Sequence, residues 1–518
     1  MASNLRVGVD VGGTNTDAVV MVGNSVAASV KVPTTDDVTG GILSALTELF
    51  SDTDLSPASI VAVMIGTTHF TNAVVEASGL APTAVIRLGL PATSSLPPLV
   101  DWPDRLAQAI GNHTYLCRGG HEYDGREIAP MDYKGLQRIV EEAGLAGVRS
   151  FAITSVFSPV NSEFEHEAAS MIKDCINGAS ISLSNEIGRI GLLERENATA
   201  MNACLIDLAS RIVDAFETAV ADFGISAPLY ISQNDGTLMN ADYTRQYPVA
   251  TFASGPTNSM RGAAFLSGLT DCAVVDVGGT TSDVGVLVSG FPREASATVD
   301  ICDVRTNFRM PDLISIGLGG GSLIRDLESP TVGPDSVGFR LPSRSLVFGG
   351  DTLTATDVAV AAGLTEIGDP DLVAHLDPIL VARSRTAMQE SLAEAVDRLK
   401  IRPEDVPLVA VGGGSFLVEQ HLPGTSEVLM PDNGPVANAI GAAIAQVGGE
   451  IDRIFSLQET SREEVLDLAR QEAVQRTVDA GASSNTVEVV EVEEVPLSYL
   501  PSSAVRVRVK AIGDLEFT

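Results

Sequence analysis

The chain has 518 residues, too many for one hydrophobic core, so roughly two to four domains are expected. Hydrophobic residues make up 45%, which excludes a largely disordered chain. The 33 basic and 67 acidic residues leave a net charge of -34, which argues against nucleic acid or an anionic membrane surface as a partner.

Residues 5–9 are a short apolar run that suits a buried strand, and it delivers VDVGGTNTD at residues 9–17. Residues 18–32 read as a hairpin around Gly23-Asn24, and residues 39–50 have helical spacing. An apolar strand at 60–65 leads into GTTHFTN at 66–72, a second Gly-Thr-Thr turn that would face the same cleft. Residues 84–88 are a further strand.

Pro91, Pro97, Pro98 and Pro103 precede an insertion-like α/β unit running to about residue 200. It has a helix at 132–143, a strand at 150–156, and a helix at 162–176 in which Ser162 and Glu165 have capping-box spacing. A strand at 180–184 ends in Asn185-Glu186. A long helix covers 193–223, and a strand at 229–232 opens onto Gln233-Asn234-Asp235-Gly236, with Ser254-Gly255-Pro256 further on.

Residues 275–283 then read VDVGGTTSD, followed by ISIGLGGGSLI at 314–324, a loop-rich stretch at 334–357 and an amphipathic helix at 380–399. A strand at 408–411 ends in Gly412-Gly413-Gly414-Ser415, and residues 435–447 read as a helix of small side chains. From 457 the chain turns charged, with a helix at 459–474, an acidic β-rich stretch at 485–494 and an alternating edge strand at 504–512. The expected domains are 1–200, including the insertion at about 91–200, then 201–456, and a small appendage at 457–518.

Five cysteines show no ligand spacing and read as reduced thiols, and no apolar span of about 18 residues or signal core is present. A cytoplasmic protein is expected.

The segments at 9–17 and 275–283 share seven of nine residues at an offset of 266, so they read as two copies of one functional loop. In each, a Gly pair permits backbone torsions and close approach that a side chain forbids. Gly12, Gly13, Thr14, Asn15 and Thr16, and Gly278, Gly279, Thr280, Thr281 and Ser282, would offer amides and hydroxyls to a phosphate chain. Asp10 and Asp276 sit at strand ends, where a carboxylate can hold a hydrated divalent cation.

With these residues laid out, the chain resembles the hydantoinase/oxoprolinase A-type family, within the superfamily of actin, sugar kinases and Hsp70-type ATPases. The resemblance covers roughly residues 5–450 and is carried by GTTHFTNAVVE at 66–76, SNEIGRIGLLERENATAMNACL at 184–205, QNDGTLM at 233–239, ASGPTNSMRGA at 253–263, ISIGLGGGSLI and VGPDSVG at 332–338. It implies an α/β fold of two actin-like (ribonuclease H-like) domains around a nucleotide cleft. Three loops would bind ATP: the two copies and Gly412, Gly413, Gly414 and Ser415 on the adenosine side. Two departures stand out. The chain has some 60 residues beyond the third loop, where the family usually continues well further, and residues 340–350 lack the family's Gly-Pro-Ala-Cys-Tyr-Gly stretch.

The implied activity is ATP-dependent opening of a cyclic amide, such as 5-oxoproline or a hydantoin, after phosphorylation of its amide oxygen. Asp10 and Asp276 would form the Mg²⁺ shell, directly or through water, and Asp283 or Asp17 would orient water or substrate as a base. Thr67, Thr68, Asn72, Glu186 and Asn234 are the substrate candidates. A B-type subunit and a homo-oligomer are the expected partners. His69 and His121 have no partner at ligand spacing, so no metal–histidine site is expected. The same two-loop architecture also serves small-molecule kinases and regulatory ATP-binding proteins, because fold does not fix function.

Overall fold

The structure is a computed structural model that describes residues 5–13, 15–35, 38–51, 53–295, 298–326, 328–457, 460–497 and 504–516. Thr14, a candidate phosphate-loop residue, and Glu459 lie outside the described residues.

Apolar runs make the buried strands β1 (Leu5–Val11) and β2 (Asn15–Val22), and alternation makes the half-exposed β3 (Ser25–Pro33). Helix α1 (Val38–Ser51), β4 (Ile60–Thr67) and α2 (His69–Glu76) complete the first stretch. The next unit alternates β5 (Thr83–Leu90), α3 (Asp104–Ala109), β6 (His113–Arg118), α4 (Tyr133–Leu145), β7 (Ser150–Ser155), α5 (Glu163–Cys175), β8 (Ser180–Leu183) and α6 (Ser184–Ile187). The long α7 (Leu192–Asp222) leads to β9 (Leu229–Ser232), β10 (Thr237–Asn240), α8 (Ala241–Gln246) and α9 (Ser254–Ser267).

The second half opens on β11 (Cys272–Val277), β12 (Ser282–Val288) and β13 (Phe291–Pro292). A small hairpin of β14 (Val299–Ile301) and β15 (Val304–Thr306) follows, then β16 (Leu313–Ile316), β17 (Ser322–Arg325) and β18 (Thr331–Ser336). Helices α10 (Leu341–Arg344), α11 (Ala355–Ala361) and α12 (Pro378–Leu399) precede β19 (Val406–Val411), β20 (Thr425–Leu429) and α13 (Ala437–Ile444). The chain ends with β21 (Gln446–Phe455), α14 (Arg462–Asp479), β22 (Glu488–Pro496) and β23 (Val505–Gly513).

Two sheets form two lobes, as expected for the two-lobe actin-like α/β class. The first runs β22-β23-β21-β10-β9-β4-β1-β2-β3, and the second β13-β12-β11-β19-β20 with β16 on β12. The loop repeat is a repeat of pairing too. β1 is antiparallel to β2 and parallel to β4, and Asp10 faces Asp17. β11 is antiparallel to β12 and parallel to β19, and Asp276 faces Asp283. One strand further out, Asp17 pairs with Lys31 and Asp283 with Ser315.

Two helices join the lobes at their centre. On α9, a Cβ on Gly262 would overlap the Ala437 carbonyl of α13; on α13, a Cβ on Gly441 would overlap the Asn258 carbonyl of α9. Glycine is required at both crossings because backbone meets backbone there. A third sheet, β6-β5-β7-β8, is parallel throughout and carries its own core around Ile86, Phe151 and Ile153.

Sheet membership cuts across the expected domain boundaries. β9, β10 and β21, expected in the second domain, extend the first sheet, and β22 and β23 continue it. The separate α/β unit begins at β5, before the prolines. Local hydrophobic runs announce a strand but not its partner, and these partners are distant in sequence. The stretch at 504–512, expected at an edge, lies between β21 and β22. Its Arg508 and Lys510 are buried on acids, Arg508 with Glu294 at 2.6 Å and Lys510 with Asp235 at 2.7 Å.

The capping box expected at Ser162 is absent. Asn161 Oδ1 accepts from Glu163 N, while Glu165 turns inward to take the amides of Ser155 and Asn185 and the Ser184 hydroxyl. Asn185 and Glu186 lie in α6 rather than at a strand end. The helix expected over 435–447 stops at Ile444, and Gln446 and Val447 begin β21. Residues 298–312 lean from the second lobe onto the first, where Ile301, Val304 and Phe308 join its core.

Candidate active site

A cleft of about 200 Å³ lies between the lobes, and both loop copies line it. Asp10, Gly12, Asn15 and Asp17 come from the first copy, and Asp276, Gly278, Gly279, Thr280 and Thr281 from the second. Gly412 and Gly413 of the third loop, and Pro435 and Ala437, complete the lining with Lys31, Ser259 and Asn438.

The two strand-end carboxylates are held in parallel ways. Each crosses a glycine at the end of the neighbouring parallel strand, Gly66 inside β4 and Gly412 just past β19: a Cβ on Gly66 would overlap Asp10 Oδ1, and one on Gly412 would overlap Asp276 Oδ1. Each is also held by a connecting helix. Asn438 of α13 donates to Asp10 at 3.0 Å and to Asp17 at 2.7 Å, and Ser259 of α9 donates to Asp276 at 2.5 Å.

Burial raises the Asp10 carboxyl to about 7, with further contributions from Asp17 and Asp276. Burial also raises Asp276. A cation between these groups would relieve both. The donors fit Mg²⁺: Asp10 Oδ1 is buried without a hydrogen-bond partner, and the oxygens are hard ligands. Among the described residues no cluster of three or more His, Cys, Asp or Glu is arranged to hold a metal by itself. A cation here would therefore share one or two carboxylates with phosphate oxygens and water, the usual habit of Mg²⁺.

The remaining candidates divide. Thr16 is buried and faces Thr34, whose hydroxyl donates to Gly12 O, so it braces the loop instead of lining the cleft. Gly414 N donates to Val277 O at 2.8 Å and lies against the back of the second loop. Ser415 starts the short turn after it. Asp283 bonds the Ser315 hydroxyl, is raised to about 6 chiefly by burial, and does not line the cleft. Ser282 donates to Leu318 O.

Thr67 shares a hydrogen bond with His69 Nδ1 at 2.7 Å. Thr68 donates to Val11 O, and Asn72 donates to Thr68 beside Gly13, so this turn backs the first loop. Glu186 and Asn234 are engaged elsewhere. Glu186 accepts from Tyr247 at 2.8 Å, and Asn234 donates to Arg309 O at 2.5 Å, fastening the 298–312 segment.

The run Gly319-Gly320-Gly321 braces the second loop. Gly320 N donates to Gly278 O and Gly321 N to Gly279 O. Sequence reasoning missed Lys31, Ser259 and Asn438. Lys31 falls in the hairpin at 18–32, Ser259 in ASGPTNSMRGA and Asn438 in the helix of small side chains, yet nothing local marks them as cleft-facing. All five cysteines are free, and among the described residues no helix is long and apolar enough to cross a membrane.

Residues 6–176 match the family model described as the hydantoinase/oxoprolinase N-terminal region, and residues 195–369 match hydantoinase/oxoprolinase. The chain is 24% identical to caprolactamase subunit alpha of Pseudomonas jessenii, over 92% of its own length and 75% of that subunit. It is 24% identical to the acetophenone carboxylase gamma subunit of Aromatoleum aromaticum, over 52% of its own length and 38% of that subunit. Its fold matches the crystal structure of ATP-dependent caprolactamase from P. jessenii with a TM-score of 0.79 at 19% identity, covering 99% of this chain and 88% of that one. Nucleotide-free acetone carboxylase matches with a TM-score of 0.72 at 16% identity, with the same coverage.

Proposed function

The chain belongs to the hydantoinase/oxoprolinase family, and from that premise we propose that it is an ATP-dependent enzyme that opens a cyclic amide. The substrate class is 5-oxoproline, a hydantoin or a related lactam, and a B-type subunit is its expected partner. The observation that supports ATP dependence is the pair of Gly-Gly loops facing one another across one cleft, and the order of GTTHFTN and ASGPTN within the family match supports the cyclic amide.

An unstrained lactam is a poor electrophile. Transfer of the terminal phosphoryl group to its amide oxygen breaks the P–O bond to ADP and forms an imidate-like phosphate ester. Water then adds at the ring carbon, the ring C–N bond breaks as its nitrogen takes a proton, and a second water hydrolyses the resulting acyl phosphate to carboxylate and free phosphate. Such transfer rests on positioning and on charge neutralisation. Gly12, Gly278, Gly279, Thr280 and Thr281 would cradle the phosphates, and Gly412 and Gly413 would border the nucleoside. Asp10 and Asp276 would hold Mg²⁺, which when bound shields the phosphate charge. Of the two base candidates Asp17 lines the cleft, which supports it as the group that would orient water or substrate.

The test is phosphate release from MgATP with a panel of lactams and hydantoins, with and without a B-type partner. Release tied to a ring-opened product supports the reading. One relative is named as a carboxylase subunit, so ketones with bicarbonate belong in the same panel, and release dependent on both would favour a carboxylase-type reaction. Nucleotide binding without turnover in any arm would favour a kinase or a regulatory ATP-binding protein.

A further inference from the structure

Three carboxylates, Asp10, Asp17 and Asp276, line the cleft, and Lys31 is the one Lys, Arg or His among its described lining residues. A nucleoside triphosphate carries a charge of about -4, so this acidic cleft must supply cationic compensation beyond backbone amides. The Lys31 ammonium lies 2.5 Å from Asp17 Oδ1 and 2.6 Å from Oδ2, with 34% of its side chain exposed. Its Cε is 3.9 Å from where a Cβ on Gly413 would stand, so it reaches from the first lobe to the third loop of the second. It is also among the charges that act on both Asp10 and Asp276.

The duplication shows that holding the closing aspartate does not require a lysine. The position facing Asp17 is Lys31, and the position facing Asp283 is Ser315. A hydroxyl therefore suffices for the second copy, whose aspartate is off the cleft. Asp17 also accepts from Asn438 at 2.7 Å, so losing the lysine would not strip it of partners. The flexible four-carbon stem of a lysine lets its ammonium move between acceptors.

We propose that Lys31 leaves Asp17 to bind the terminal phosphate of the nucleoside triphosphate, and that this exchange is how the cleft distinguishes triphosphate from diphosphate. The inference rests on the ATP-dependent reading above.

The experiment is calorimetric titration of the purified chain with Mg²⁺ and either a non-hydrolysable ATP analogue or ADP. A hydrogen bond to a charged group is worth about 1.5–3 kcal/mol, so Lys31→Gln is expected to weaken the triphosphate analogue roughly 10- to 100-fold. Its ADP affinity should change less than about twofold, and Lys31→Arg should retain the preference. The double variant Asp17→Asn/Lys31→Gln guards against a fold effect, since it removes both charges, and should show the same selective loss. Equal weakening of both nucleotides, or a lowered melting temperature with the preference intact, overturns the proposal and leaves Lys31 as the counter-ion of Asp17. If the wild-type chain binds neither nucleotide, the ATP-dependent reading itself falls, a result distinct from unchanged preference in Lys31→Gln.

Discussion

In the first lobe, the closing aspartate takes an ammonium from Lys31 and an amide from Asn438, and it lines the cleft. In the second, Asp283 takes a hydroxyl from Ser315 and is not among the residues that line the cleft. The backbones of the two copies remain matched strand for strand, down to Asp10 against Asp17 and Asp276 against Asp283. The two copies thus keep the same backbone pairing and differ in the side chains that set charge.

The largest test of that comparison removes its shared part. Asp10→Asn and Asp276→Asn are each expected to lower nucleotide-dependent phosphate release at least roughly a hundredfold, with the circular dichroism spectrum unchanged. Near-normal turnover in one of them, with ordinary Mg²⁺ dependence, would show that the lobes do not share the cation.

The next test compares the glycines beneath those carboxylates. Gly66→Ala should cost about 2 kcal/mol of unfolding free energy, because its Cβ would meet Asp10 and Asn258. Gly412→Ala should cost about 1 kcal/mol more, since Gly412 has φ +86° as well as the Asp276 overlap. Urea denaturation reads both, and equal costs would mean that the left-handed torsion is not strained.

The connecting helices come third. Ser259→Ala and Asn438→Ala each withdraw a donor from a buried carboxylate, for a loss of about 1–3 kcal/mol. Asn438→Ala should lie at the upper end, because its amide serves both Asp10 and Asp17.

The smallest effect distinguishes the turns after β4 and β19. The first carries His69, and the second the run Gly412-Gly413-Gly414. Burial holds the His69 imidazole below its ordinary value, so the folded state disfavours its protonation. The stability this represents is present above about pH 6.5, the unfolded value, and is lost as pH falls from there through the lower folded value. Thermal melts of the wild type should show a shallow decline over that window, and His69→Asn should flatten it.

The two copies of the loop could be read directly, because seven matching residues need no knowledge of partners. Strands β1, β4, β9 and β19 were equally plain from continuous apolar runs. What could not be read was long-range pairing. Lys31 acquires its position from the β2–β3 register, and Asn438 reaches Asp10 from 428 residues away. Arg508 and Lys510 alternate with valines as solvent-facing residues would, yet Glu294 and Asp235 take them inside. Asn234 looked like a ligand group because it ends a strand, and it is consumed by the Arg309 backbone. In each case the pattern specified the element, and a distant partner specified its use.

Ser259 lies three residues before Gly262 on α9, and Asn438 three residues before Gly441 on α13. The glycines are where the two helices bear on each other, and the polar residues grip the carboxylates of the opposite lobes. The bearing and the grips are therefore cut into the same shafts. The contact that sets how the two helices cross and the donors that hold the two carboxylates sit one helical turn apart on the same helices.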